Sequence, residues 1–179
     1  MKKKKNACDE GLCPDGAFVL FFTGCVEEFL KMRFFLARRN DLKKLFEPLG
    51  GGFDPKDVLS TDACVREVDE EASIQTTRED LIPFACMIQK VPALGLEARG
   101  YAFYFCKELD NYELTENAVP SEEHIELSWH SLADILEKGE SLYLTSALRA
   151  ILHLLNFLEN KKYRIDVLGT PVSFKGHRF

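Results

Sequence analysis

The chain has 179 residues, of which 46% are apolar and 29% charged, a balance that suits one folded domain and excludes the disordered class. Its formal net charge of −6 argues against a nucleic-acid partner, because phosphate backbones are held by basic surfaces. The longest apolar run, Ala17 to Phe22, is far short of the ~20 residues a spanning helix needs, so no membrane partner is expected.

Lys2 to Lys5 look like the basic start of a signal peptide, but Asp9, Glu10 and Asp15 stand where an apolar segment should follow. Residues 1–16 are therefore expected to be a solvated, disordered tail. Ala17 to Phe22 reads as a buried strand closed by Gly24. Phe29 to Ala37 is a second apolar segment, ending in the polar turn Arg38-Arg39-Asn40-Asp41. Pro48 and Gly50-Gly51-Gly52 then demand a loop with unusual backbone angles. Asp57 or Ser60 is placed to cap the helix that follows.

On that helix Cys64, Val65, Val68 and Ala72 form an apolar stripe. Glu67, Glu70 and Glu71 lie on one side of it, about 120° from the stripe, and so border the core. Strand signals resume at Leu81 to Ile88 and Tyr101 to Cys106, joined by a loop with Pro92, Gly95 and Gly100. Ile125 to Trp129 is a short alternating piece, and Ser131 to Leu136 a brief helix ended by Gly139. Ser146 to Leu158 is a long helix, with Leu148, Ile151, Leu152, Leu155 and Leu158 at core spacing. Tyr163 to Phe179 reads as an extended tail, with a hairpin at Gly169-Thr170-Pro171. Strands and helices in this order predict an α/β sandwich with one domain over 17–160. Residues 161–179 are an extension that packs on the domain or supports a homodimer.

Six cysteines, at 8, 13, 25, 64, 86 and 106, include no Cys-x-x-Cys pair, which predicts reduced, mostly buried thiols in a cytoplasmic protein and no zinc site. His124, His130, His153 and His177 have no ligand spacing and are read as structural.

The three glutamates carry the chemistry. Two carboxylates ~6 Å apart repel by roughly 0.7 kcal/mol in water but ~3 kcal/mol at an effective dielectric near 20. On an open face the cluster costs little; in a cleft it requires a cation or a raised pKa. Three consecutive glycines beside it favour the cleft, because they fit a backbone that bends sharply or approaches a ligand closely.

The stretch Gly52 to Ile74 resembles the Nudix box, in which a glycine, five residues, a glutamate and seven residues precede Arg-Glu-apolar-x-Glu-Glu-x-Gly-apolar. Gly52, Arg66, Glu67, Val68, Glu70, Glu71 and Ile74 stand at the matching places. Val58 replaces the first glutamate, and Ser73 the final glycine. Phe35 to Arg39 with Leu49 to Gly52, and Glu122 to Glu126 with Trp129 and Leu132, are similar to the family's flanking segments.

The resemblance implies a Nudix-type α/β/α sandwich with a mixed central sheet. It further implies Mg²⁺ or Mn²⁺ and hydrolysis of a small diphosphate linked to another moiety. Glu67, Glu70 and Glu71 would bind metal and Arg66 would orient Glu67. Glu123 or Glu122 leads as general base or extra ligand, ahead of Glu113 and Glu116. Arg38 and Arg39 would meet substrate phosphates, and Gly51 and Gly52 would line the substrate. Asp57 is a candidate substitute for the carboxylate missing at Val58. The departures from the box also support an alternative: a binding or regulatory module on the same fold, with catalysis lost. A Nudix-type isomerase is the weaker third reading, for lack of the cysteine and glutamate placements it requires.

Overall fold

A computed structural model describes residues 15–41, 43–90, 99–110 and 112–168. The chain forms β1 (Gly16–Thr23), β2 (Arg33–Arg39), β3 (Phe46–Glu47), β4 (Leu49–Gly52), α1 (Ser60–Ala72), β5 (Ile82–Lys90), β6 (Arg99–Glu108), α2 (Glu113–Glu116), β7 (His124–Ser131), α3 (Leu132–Lys138) and α4 (Thr145–Leu168). The sheet runs β3-β2-β1-β6-β5, with β4 paired to β1 and β7 to β2. β1 and β6 are parallel, whereas β1 is antiparallel to both β2 and β4. The sheet is mixed, as expected.

β1 explains why its sequence is apolar throughout: both of its faces are covered. Ala17, Val19 and Phe21 pack with Ala63, Cys64, Val68 and Ala72 of α1. Leu20 and Phe22 belong to the opposite core with Leu132, Ile135, Ala150, Ile151 and Leu154 from α3 and α4. Burying one such phenylalanine contributes about 1.5–3 kcal/mol. The two cores make the sheet the middle layer of an α/β/α sandwich.

Several local expectations are corrected. The apolar segment Phe29 to Ala37 divides at Met32: Val26–Lys31 is a 3₁₀ turn with Phe29 and Leu30 exposed, and β2 starts only at Arg33. The charges of Glu27, Glu28 and Lys31 keep that turn at the surface. Neither Asp57 nor Ser60 caps α1. Leu59 is the N-cap residue, and the Asp62 carboxylate accepts the Leu59 and Val58 N–H groups at 3.0 and 3.2 Å. α4 runs past Tyr163 to Leu168, where an extended tail was expected, because no glycine or proline interrupts residues 145–168. The hairpin expected at Gly169-Thr170-Pro171 lies outside the described residues, as do Cys8, Cys13 and residues 91–98 of the β5–β6 loop. Asp15 and Gly16, expected in the tail, are held by the fold: Asp15 accepts the Tyr101 N–H at 2.7 Å through its carboxylate and the Phe53 N–H at 3.1 Å through its carbonyl, and Gly16 starts β1.

Candidate active site

β4 is the strand on which the site is built. It pairs with β1 along one edge, Ala17 opposite Gly51 and Phe18 opposite Gly50. Its other edge is met by side chains of α1. The Gly50 N–H donates to Glu71 Oε2 at 2.7 Å, and the Gly52 carbonyl accepts from Arg66 Nη2 at 2.8 Å. Gly50 has φ +140°, and a Cβ there would sit 2.2 Å from the Ala17 carbonyl oxygen. At Gly51 a Cβ would fall 2.7 Å from the Glu67 carboxyl carbon. Glycine is thus required at both positions, once for backbone conformation and once to admit a carboxylate. Gly52 differs: a Cβ there meets nothing within 4 Å, so its glycine has no steric reason in the fold.

Burial separates the three glutamates. Glu71 is 8% exposed and the Glu67 side chain 16%, whereas the Glu70 side chain is 59% exposed. Arg66 gathers them. Its Nη1 donates to Glu67 Oε1 at 2.8 Å and to Glu70 Oε2 at 3.3 Å. Its Nη2 and Nε reach Asp57 Oδ2 and Oδ1 at 2.9 and 3.3 Å. Burial alone would lower the Arg66 pKa, but bonds to Asp57 and Glu67 outweigh it and raise it. Burial likewise opposes the Asp57 charge, yet Arg66 and the Asp54 N–H hold its carboxyl below the usual range.

Glu71 is the most perturbed acid. Burial pushes it up to about 8, the Gly50 N–H offsets part of the rise, and the charges of Glu67, Glu47 and Glu123 add to it. Glu67 is raised too, first by burial and then by Glu70 and Glu123, against the pull of Arg66.

The second wall is the segment ahead of β7. The Val119 and Ser121 N–H groups donate to the Ala72 and Glu71 carbonyls at 2.9 Å each. The Asn40 N–H donates to the Glu123 carbonyl at 2.8 Å, and Asn40 Nδ2 to the Glu122 carbonyl at 3.1 Å. Glu122 and Glu123 are exposed, but the loop carrying them is tied to both sides of the cleft.

The cleft between these walls has a volume of about 1300 Å³ and is lined by Gly50, Gly51, Gly52, Arg66, Glu67, Glu70, Glu71, Glu122, Glu123 and Arg39, with Glu47, Phe18 and Tyr104. Arg39 bonds Glu47 at 3.1 Å and Asp41 at 2.7 Å. Arg38, expected beside it, does not line the cleft. It donates to the Lys44 carbonyl at 3.0 Å and to Glu126 at 3.3 Å and lies over the Phe46 ring, because successive residues of β2 face opposite ways. Glu116 is exposed and is not among the cleft-lining residues, and the Glu113 side chain lies outside what is described. Glu47, Asn40 and the pairing of Asp57 with Arg66 are site features that sequence reasoning missed. Only the position of Glu47 beside Pro48 and the glycine strand could have signalled it.

The donor set suits a hard divalent cation: Glu67, Glu71, Glu47 and Glu123 interact electrostatically around one cleft, and Glu67 and Glu71 are raised first by burial, with the neighbouring carboxylates adding to it. Among the described residues, no three His, Cys, Asp or Glu side chains are grouped tightly enough to ligate one ion as they stand. Glu67 and Glu70 are turned to Arg66 instead.

Comparison with known proteins follows this geometry. The family model for the NUDIX domain matches residues 19–151. Among solved structures, a Caenorhabditis elegans Ap4A hydrolase in a binary complex is 19% identical with a TM-score of 0.61, the match covering 82% of this chain and 98% of that one. The NUDIX domain of Shewanella oneidensis NrtR complexed with ADP ribose is 11% identical with a TM-score of 0.62, covering 86% and 93%. A bifunctional NMN adenylyltransferase/ADP ribose pyrophosphatase from Francisella tularensis, complexed with AMP and a Mn ion, is 18% identical with a TM-score of 0.58, covering 82% of this chain and 43% of that one. Comparison with curated proteins finds no match. These likenesses carry the fold, and the family model spans most of the chain and the whole glycine–glutamate unit; the protein belongs to the Nudix hydrolase family.

Proposed function

We propose that the protein is a metal-dependent pyrophosphohydrolase that cleaves the diphosphate of a nucleoside diphosphate linked to another moiety. The observation that carries this reading is the crowding of half-buried Glu67 and buried Glu71 against Gly50 and Gly51 inside a cleft also lined by Glu47 and Glu123. Such a cluster is costly unless a cation is shared among its members. The Ap4A hydrolase and the ADP ribose pyrophosphatase among the similar folds support a nucleoside diphosphate derivative, and the Mn ion of the latter supports the metal.

In this reading Glu67, Glu70 and Glu71 hold Mg²⁺ or Mn²⁺, and Arg66 aims Glu67. The bound cation supplies charge neutralisation at the phosphate oxygens and a more acidic water. Glu123 takes the proton of the attacking water from the loop facing α1. Arg39 offers its guanidinium to a phosphate from the cleft wall. Gly51 and Gly52 line the substrate, and Gly52, whose Cβ position is open, lets it lie against backbone. The described cysteines Cys25, Cys64, Cys86 and Cys106 are free thiols, which supports a cytoplasmic setting.

One observation favours the second reading, a binding module without turnover. Val58, where the family motif has glutamate, is 80% exposed and brings no carboxylate to the site. A single assay separates the two. The protein is incubated with nucleoside diphosphate sugars, dinucleoside polyphosphates and nucleoside triphosphates, with Mg²⁺ or Mn²⁺, and phosphate products are measured. Turnover abolished by chelator and reduced about 100-fold or more in Glu70→Gln and Glu71→Gln supports hydrolysis. Saturable ligand binding with no product across the panel supports the module.

A further inference from the structure

The turn between β4 and α1 holds a buried carboxylate that the family pattern does not account for. Asp57 stands one residue ahead of Val58, and its side chain is only 5% exposed. Both of its oxygens face Arg66: Oδ2 accepts from Nη2 at 2.9 Å and Oδ1 from Nε at 3.3 Å. Paired contacts of this kind fix the plane of a guanidinium, which a single contact does not. Asp57 is itself fixed from behind. Its Oδ2 also accepts the Asp54 N–H at 2.7 Å, and its own N–H donates to the Asp54 carbonyl at 2.9 Å. The turn is therefore closed before it reaches the arginine.

That arrangement divides the five donors of Arg66 between two tasks. Nε and Nη2 are held by Asp57 and by the Gly52 carbonyl, leaving Nη1 for Glu67 and Glu70. Gly52 is the last residue of β4 and Asp57 belongs to the β4–α1 connection, whereas the glutamates belong to α1. The arginine is thus braced against one element while it aims carboxylates of another.

We propose that Asp57 is a positioning residue, holding Arg66 so that Arg66 can orient Glu67 and Glu70, and that it supplies from position 57 the carboxylate this chain lacks at 58. With both oxygens on Arg66, Asp57 serves the arginine and not a cation. The catalytic part of this inference rests on the proposed hydrolase reading; the mechanical part does not.

The test compares full-length wild type with Asp57→Ala and Asp57→Asn in three measurements, with melting temperature as a check on folding. Proton–nitrogen NMR follows the Arg66 Nε–H, which should exchange slowly in wild type and be lost to rapid exchange in Asp57→Ala. Mn²⁺ alone is titrated by electron paramagnetic resonance, and its dissociation constant should rise about 10-fold or more in Asp57→Ala. Kinetics with Mg²⁺ and the substrate panel should show kcat reduced about 10- to 100-fold with KM changed less than about threefold, as when a residue that orients a metal ligand is lost. Asp57→Asn keeps an acceptor for Asp54 and should fall between wild type and Asp57→Ala; it decides the matter if the alanine variant does not fold. An Arg66 Nε–H that stays protected, with Mn²⁺ affinity within twofold of wild type, overturns the proposal. A wild type that turns over nothing overturns the hydrolase reading instead, and the NMR comparison still decides the anchor.

Discussion

Gly51 and Glu67 share a space that admits only one side chain. A Cβ at residue 51 would lie 2.7 Å from the Glu67 carboxyl carbon and 2.7 and 2.8 Å from its oxygens. Contacts that short force something to move, and the mobile partner is the carboxylate. Gly51→Ala is therefore expected to displace Glu67 while leaving the sheet intact, since Gly51 has no positive φ to lose. Mn²⁺ affinity and turnover should each drop about 10-fold or more, with circular dichroism unchanged. An alanine variant that binds and turns over like wild type would show that Glu67 has no fixed role.

Glu71 makes stability depend on pH in a defined direction. Its pKa rises from an ordinary 4.5 to about 8 on folding, so the folded chain holds a proton that the unfolded chain releases. The associated stability is fully present below about pH 4.5 and is lost as pH rises through about 8. Within that window the metal-free protein should lose up to roughly 1.4 kcal/mol per pH unit from this group. Glu71→Gln retains an acceptor for the Gly50 N–H and should flatten the dependence, measured as melting temperature from pH 5 to pH 8. Cation binding runs oppositely: it needs deprotonated ligands, so Mn²⁺ affinity should increase across the same range.

Asn40 ties the Glu122–Glu123 loop to the end of β2 through two donated hydrogen bonds. Asn40→Ala removes only the side-chain one. The expected stability loss is small, about 1 kcal/mol or less at this exposed position. Amide exchange at residues 121–124 should accelerate, and turnover should fall severalfold if Glu123 acts as the base. Unchanged exchange in that segment would show that the Ala72 and Glu71 carbonyls suffice to hold the loop.

Ser73 has φ 55° and ψ 30°, the left-handed conformation that the family motif gives to glycine. A residue with Cβ is disfavoured there by about 1 kcal/mol. Ser73→Gly should therefore stabilise the protein by roughly 0.5–1 kcal/mol, raising its melting temperature a few degrees at this size. Activity should not change. A lowered melting temperature would mean that the added flexibility of the unfolded chain outweighs the relieved strain.

Val58 is 80% exposed, so Val58→Ala should alter stability by no more than about 0.5 kcal/mol and leave Mn²⁺ affinity intact. A larger effect on metal binding would place the Val58 segment against the ligands and contradict the observed geometry.

Periodicity by itself determined most of the layout. The continuous apolar run of β1 marks a strand covered on both faces, the stripe Cys64–Val68–Ala72 marks the face of α1 that meets it, and i, i+3, i+4 spacing puts Glu67, Glu70 and Glu71 together. Those patterns are local, because backbone geometry alone relates residues a few positions apart. What only the tertiary structure decided is which charges meet across the chain. Arg38 and Arg39 are equivalent in sequence, yet strand alternation and the pairing of β2 with β7 send one to Glu126 and the other into the cleft. Glu70 and Glu71 are adjacent, yet one is solvated and the other is buried against Gly50. Asp57 was legible as a spare carboxylate, but its service to Arg66 depends on a turn folding back on Asp54. The physical reason is common to all three: ionisation and pairing are set by burial and through-space distance, which a linear pattern does not carry.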